Sequence, residues 1–192
     1  MNQNEATEII ITYLSPIFLE RGYKYKKSRW FGFVKQYENG FEHFMLSFAN
    51  YWPIQQPEFL VKKRFNSVED IYEQLVDLFG LSRPADRVTN DNFWFNYESL
   101  HFAHTNSFLK GGETEEDMLV DAKKIEEFML EVGFPMLEKY DLKTIDGEIN
   151  GDDFWETDWQ NKFSLGGGDY KRLIIAKLCN NPAPARILSC GC

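Results

Sequence analysis

A chain of 192 residues, 43% hydrophobic, 16% aromatic and 27% charged, is long enough for one sizeable core and too rich in Phe, Tyr and Trp for disorder, so a single domain over 1–192 is expected. Its net charge of −9 is uneven: residues 1–66 carry nine Lys or Arg against six Asp or Glu, and residues 67–192 carry twelve against twenty-four. A negative field over the second part repels phosphates, which argues against general nucleic-acid binding there and favours a basic partner.

Residues 5–20 place Ala6, Ile9, Ile10, Tyr13, Leu14, Ile17 and Phe18 at helical spacing. Asn4 caps the start, Pro16 bends the helix and Gly22 takes the left-handed position past its end. A strand over 30–37, the turn Asn39-Gly40 and a strand over 41–52 form a hairpin. With Asn39 and Gly40 as the loop, Phe31 faces Phe48, Phe33 faces Leu46 and Lys35 faces Phe44 on the core side. Gly32 with Ser47, Val34 with Met45 and Gln36 with His43 then lie on the other side. The stretch 53–57 holds two prolines and is expected to break the ladder before a third strand over 58–65. That strand alternates Phe59, Val61 and Phe65 against Leu60, Lys62 and Arg64.

Ser67 with Asp70 opens a second helix, with Val68, Ile71, Leu75 and Leu78 inward and Gly80 at its end. Residues 81–91 read as a loop, and the aromatic stretch 92–108 is given a strand at 93–97. Thr114 and Asp117 cap a long helix whose inner positions are Met118, Ala122, Ile125, Met129 and Val132, with Gly133 just past its end. Pro135 starts a short helix to Tyr140. The polar, glycine-rich stretch 141–168 reads as a structured loop, because Phe154, Trp155 and Trp159 want burial. Asp169 caps a last helix to Leu178, closed by Asn180-Asn181-Pro182. The fold class is therefore α+β: an antiparallel sheet of at least three strands in a meander, packed by the N-terminal helix and several further helices.

The N-terminus lacks the basic start and unbroken apolar centre of a secretory signal, and no segment is apolar over the length of a bilayer span. A cytoplasmic chain without a membrane partner is expected. Cys179, Cys190 and Cys192 are odd in number and crowded at one end, unlike a disulfide framework, and 179–192 reads as a frayed tail.

No catalytic signature, nucleotide loop or cofactor motif is present, so no cofactor is expected. His101 and His104 are the candidate metal ligands, but with His43 they are the only histidines and no Cys completes the set, so packed or polar histidines are the plainer reading. An enzyme site around His101, His104 and Glu98 is an alternative. Gly166-Gly167-Gly168 resembles an anion loop, yet Asp169 would fill the same positive helix end. Arg21, Lys24, Lys26, Lys27 and Arg29 interleave with Tyr23, Tyr25 and Trp30, a pattern suited to single-stranded nucleic acid and equally to a lysine-guarded edge strand. The favoured site is a protein-binding surface of Asp152, Asp153, Glu156 and Asp158 with Trp155 and Trp159, a carboxylate ring around aromatic anchors.

The first helix, the phrase Arg21-Gly22-Tyr23-Lys24-Tyr25-Lys26-Lys27, the strand Trp30-Phe31-Gly32-Phe33 and the Gly40 turn together resemble an uncharacterised bacterial domain family, numbered four-three-zero-four among the domains of unknown function. The resemblance covers the first third of the chain and departs from it at 141–168. Relatives of this kind occur among candidate immunity proteins of bacterial toxin systems. This implies a binding role, with toxin neutralisation as its form, and carries over no active-site residues.

Overall fold

The computed structural model describes residues 1–27, 31–80, 93–95, 109–151, 163–165 and 168–182. The first helix, α1, spans Gln3–Glu20. Asn2 rather than Asn4 caps it: the Asn2 side chain accepts the Glu5 N–H at 3.0 Å, and the Glu5 carboxylate accepts the Asn2 N–H at 2.9 Å. This reciprocal box satisfies two donors that the first turn leaves over. Ala6, Ile10, Leu14 and Phe18 recur every four residues and are fully buried. Gly22, at φ +81°, ends the helix as its sequence position implies.

The sheet has six strands in chain order, every neighbour antiparallel: β1 (Lys24–Lys27), β2 (Phe31–Tyr37), β3 (Gly40–Tyr51), β4 (Ile54–Phe65), β5 (Phe93–Phe95) and β6 (Phe163–Leu165). The expected hairpin register is corrected by two residues. Phe33 faces Phe44 and Phe31 faces Leu46, so the loop is Glu38-Asn39. Gly40 is drawn into the ladder between Tyr37 and Phe65 because β4 runs so close that a Cβ there would fall on the Arg64 carbonyl oxygen. A shift of two keeps every side chain on its expected face.

The expected break at 53–57 is also corrected: Trp52-Pro53 alone makes the turn, and β4 runs from Ile54 with Pro57 opposite Phe48. Gln55 exchanges both backbone hydrogen bonds with Gly112, on the side away from β3. Pro57 points the same way two residues on, so its missing N–H removes no β3–β4 bond.

Helix α2 is Asn66–Leu78 and ends at Gly80 with φ +58°. Its inward face differs from the periodic reading. Val68, Glu69 and Val76 are buried, while Ile71 and Leu78 are 37% and 76% exposed. Helix α3, Glu115–Phe128, has the expected Thr114/Asp117 box and buries Met118, Ala122 and Ile125 as expected, while Met129 and Val132 fall beyond its end and Val132 is half-buried. Gly133 does not end it. The chain continues through a wider turn, Met129–Gly133, into α4 (Phe134–Lys139), with the Phe134 N–H reaching back to the Met129 carbonyl. Pro135 has no N–H for a regular ladder, and a Cβ on Gly133 would collide with the Met129 thioether.

The loop expected from residue 141 is corrected for its first part. Asp141 accepts the Thr144 N–H at 2.7 Å and caps α5, Leu142–Asn150, which buries Ile145 and Ile149. The last helix, α6, is Gly168–Leu178, closed at Asn180 with φ +56°. One continuous apolar cluster joins α1, the sheet face carrying Phe33, Phe44, Phe59 and Val61, and α3 to α6. Phe18 stacks on Phe33 at 4.3 Å, and Phe59 meets Phe128 at 5.2 Å. This is an α+β fold. Among the described residues no helix is long and apolar enough to cross a membrane.

Candidate functional site

The acidic-aromatic group Asp152, Asp153, Trp155, Glu156, Asp158 and Trp159 lies outside the described residues, as do Glu98, His101, His104, Arg29, Trp30 and 183–192. Among the described residues no cluster of His, Cys, Asp and Glu could hold a metal ion. The basic run is divided by the fold. Arg21 lies 4.6 Å over the Phe134 ring and donates to the Ile17 carbonyl at 3.0 Å, so it serves the end of α1. Tyr23 is buried and donates to Glu42, which removes one ring from the stacking strip. Lys24, Tyr25, Lys26 and Lys27 form the exposed strand β1 at the end of the sheet.

Alternation puts Glu42 and Lys63 on the core side of β3 and β4, where both are nearly covered. The Tyr23 hydroxyl donates to Glu42 at 2.6 Å, Lys63 Nζ sits 3.5 Å from Glu42, and the same Nζ donates to the Leu137 carbonyl of α4. Burial, then the bond to Glu42, raises the Tyr23 pKa. Burial pulls Lys63 below the usual lysine range and Glu42 opposes the shift. Acid–base chemistry needs access to a substrate, and this triad is shut beneath α4, where it clamps the helix to the sheet. Asp121 does similar work at 1% exposure: it accepts the Lys110 and Gly111 N–H groups at 3.1 and 2.7 Å and fixes the segment before α3.

The outward chemistry lies on α1 and α3. Helix α1 carries Glu5, Glu8 and Glu20 and no cation, and α3, besides the buried Asp121, carries Glu115, Glu116, Asp117, Glu126 and Glu127 against Lys123 and Lys124. The described strands and turns between residues 24 and 65 hold the opposite balance: Lys24, Lys26, Lys27, Lys35, Lys62, Lys63 and Arg64 against Glu38, Glu42 and Glu58. The charge asymmetry of the sequence thus separates into a negative helical pair and a positive sheet. Between the two helices runs an open groove of about 320 Å³ lined by Glu8, Ile9, Thr12, Tyr13, Glu115 and Leu119. Tyr13 ties its side, donating to Glu126 at 2.8 Å, a bond that raises its own pKa. Carboxylates on the rim and aliphatic walls suit the long side chain of a lysine or arginine.

None of the groove residues was singled out in the sequence as a binding position. The signal was there in the lack of cations on α1, but the approach of two helices more than a hundred residues apart is set by tertiary packing. The chain matches no protein-family model, no curated protein and no solved structure.

Proposed function

We propose that this chain is a non-enzymatic binding module that takes a basic protein partner on its acidic side. The observation that carries the reading is the carboxylate-rimmed groove between α1 and α3, beside a sheet whose charge balance is positive. Opposite charge steers encounter and fixes register, while the apolar wall of Ile9 and Leu119 supplies surface to desolvate. Asp152, Asp153, Glu156 and Asp158, with Trp155 and Trp159, belong to this proposal as further carboxylates and anchors of the acidic half. Neutralising a toxin is the form the family resemblance supports, and an adjacent gene for a secreted toxin is the observation that bears on it.

The experiment compares tagged wild-type chain with a Glu8→Lys, Glu115→Lys, Glu116→Lys variant in affinity capture, with captured proteins identified by mass spectrometry. All three positions are exposed, so the fold is retained. Capture of basic proteins should fall roughly tenfold with the reversal. Equal capture by both chains, or a captured set without basic proteins, overturns the reading.

A further inference from the structure

Antiparallel pairing sends the N–H and C=O of a residue to the same side of its strand, and the side alternates along the chain. The backbone of Gln55 is bonded to Gly112, outside β4. Counting back through the β3–β4, β2–β3 and β1–β2 registers turns the backbone groups of Lys24 and Lys26 toward β2 and those of Tyr25 and Lys27 outward. Tyr23 agrees with this parity, since its N–H leaves the sheet for the Phe18 carbonyl at 3.0 Å. All four residues of β1 are exposed, and among the described residues no strand pairs with its outer side. Tyr25 and Lys27 therefore present two N–H and two C=O groups along an open edge.

The side chains on the two faces of that edge differ. Lys24 and Lys26 lie on the face that also carries His43 and Lys62. On the opposite face Tyr25 packs on Phe33 at 5.8 Å and remains 40% exposed. There burial and then the nearby Glu8 carboxylate disfavour ionisation of the Tyr25 hydroxyl, so a second negative charge is unwelcome. We infer that β1 is a docking edge for an extended acidic segment of a partner protein, added as a seventh strand to the six-stranded sheet, with Asp or Glu over Lys24 and Lys26 and uncharged apolar residues over Tyr25. The same lysines that keep two β1 edges apart by like charge admit such a segment. This surface adjoins the acidic groove at Glu8 and takes a partner of opposite sign.

The test uses the whole chain and a capped hexapeptide alternating valine and aspartate. Binding is followed by fluorescence anisotropy and by amide hydrogen exchange. The expected result is binding that weakens with salt, slowed exchange at Tyr25 and Lys27, and a loss of roughly tenfold or more in Lys24→Glu, Lys26→Glu, whose exposed positions leave the fold intact. N-methylating alternate peptide bonds of the hexapeptide should abolish binding, because a ladder needs those donors. The inference is overturned by absence of binding, by binding without slowed exchange at Tyr25 and Lys27, by equal binding of a valine–lysine hexapeptide, or by slow, concentration-dependent exchange at both amides in the free protein, which would assign the edge to a second copy.

Discussion

Set opposite Val34 on one strand and Lys62 on the other, His43 has its imidazole in a half-buried, cationic place. Burial, then Lys62 and Lys26, pulls its pKa down to about 4. In the unfolded chain it titrates near 6.5, so as pH falls the unfolded state takes up the proton first. The contribution of His43 is complete above pH 6.5 or so and is lost progressively as pH falls toward 4. Between pH 7 and pH 5 the loss should be about 1–2 kcal/mol, seen as a lower urea midpoint at pH 5. His43→Gln should remove most of that difference, and a variant that keeps the wild-type difference rules the account out. Asp117 and Asp141, held below the usual carboxylate range by hydrogen bonds at Thr114 and Thr144, lose their contribution only at still lower pH. Strand alternation alone placed His43 on the face away from the core. Its lysine neighbour depended on a register that sequence did not supply.

Two glycines make opposite predictions about their elements. Gly40→Ala puts a methyl onto the Arg64 carbonyl and against the Tyr37 ring, and should destabilise by about 1–3 kcal/mol in urea unfolding. Gly147→Ala meets nothing within 4 Å on an exposed turn of α5 and should stabilise by about 0.5–1 kcal/mol. Equal effects at the two positions would refute both arguments. These residues also mark where elements were and were not legible. The Asn39-Gly40 pair announced a hairpin, but local turn preference yielded to a backbone contact with β4 that no hairpin sequence contains. Gly147, amid other glycines and acids, masked the Asp141 cap and the Leu142, Ile145, Ile149 spacing of a true helix. Four-residue apolar spacing in α1 and α3 and the Thr114/Asp117 box of α3 read correctly because both are local, whereas the cap of α1 falls on Asn2, two residues before Asn4.

At the scale of the molecule, the clearest departure from local reading is a charge carried inward. Glu69 of α2 is 0% exposed, and Lys171 of α6 is 1% exposed. Lys171 Nζ lies 2.8 Å from the Glu69 carboxylate and 4.9 Å over the Tyr72 ring, joining residues 102 positions apart. The helix rotates to bring this pair together, which turns Ile71 and Leu78 outward. Helical periodicity assigns charges to water, so the rotation is invisible until α6 is docked. Beside it, Arg172 donates to the Ile149 carbonyl at 2.8 Å and Asn150 donates to the Arg172 carbonyl at 3.1 Å, so polar contacts tie α6 on two sides. Glu69→Gln leaves a buried ammonium without its counter-charge and should cost about 3–5 kcal/mol in urea unfolding. Replacing both, Glu69→Met with Lys171→Met, removes the stranded charge and should recover most of that loss, since apolar packing of similar volume does as well as a buried pair. A single variant that loses no more than a surface change, about 0.5 kcal/mol, would show that the ammonium finds water or another partner there and that α6 is docked by its apolar face alone.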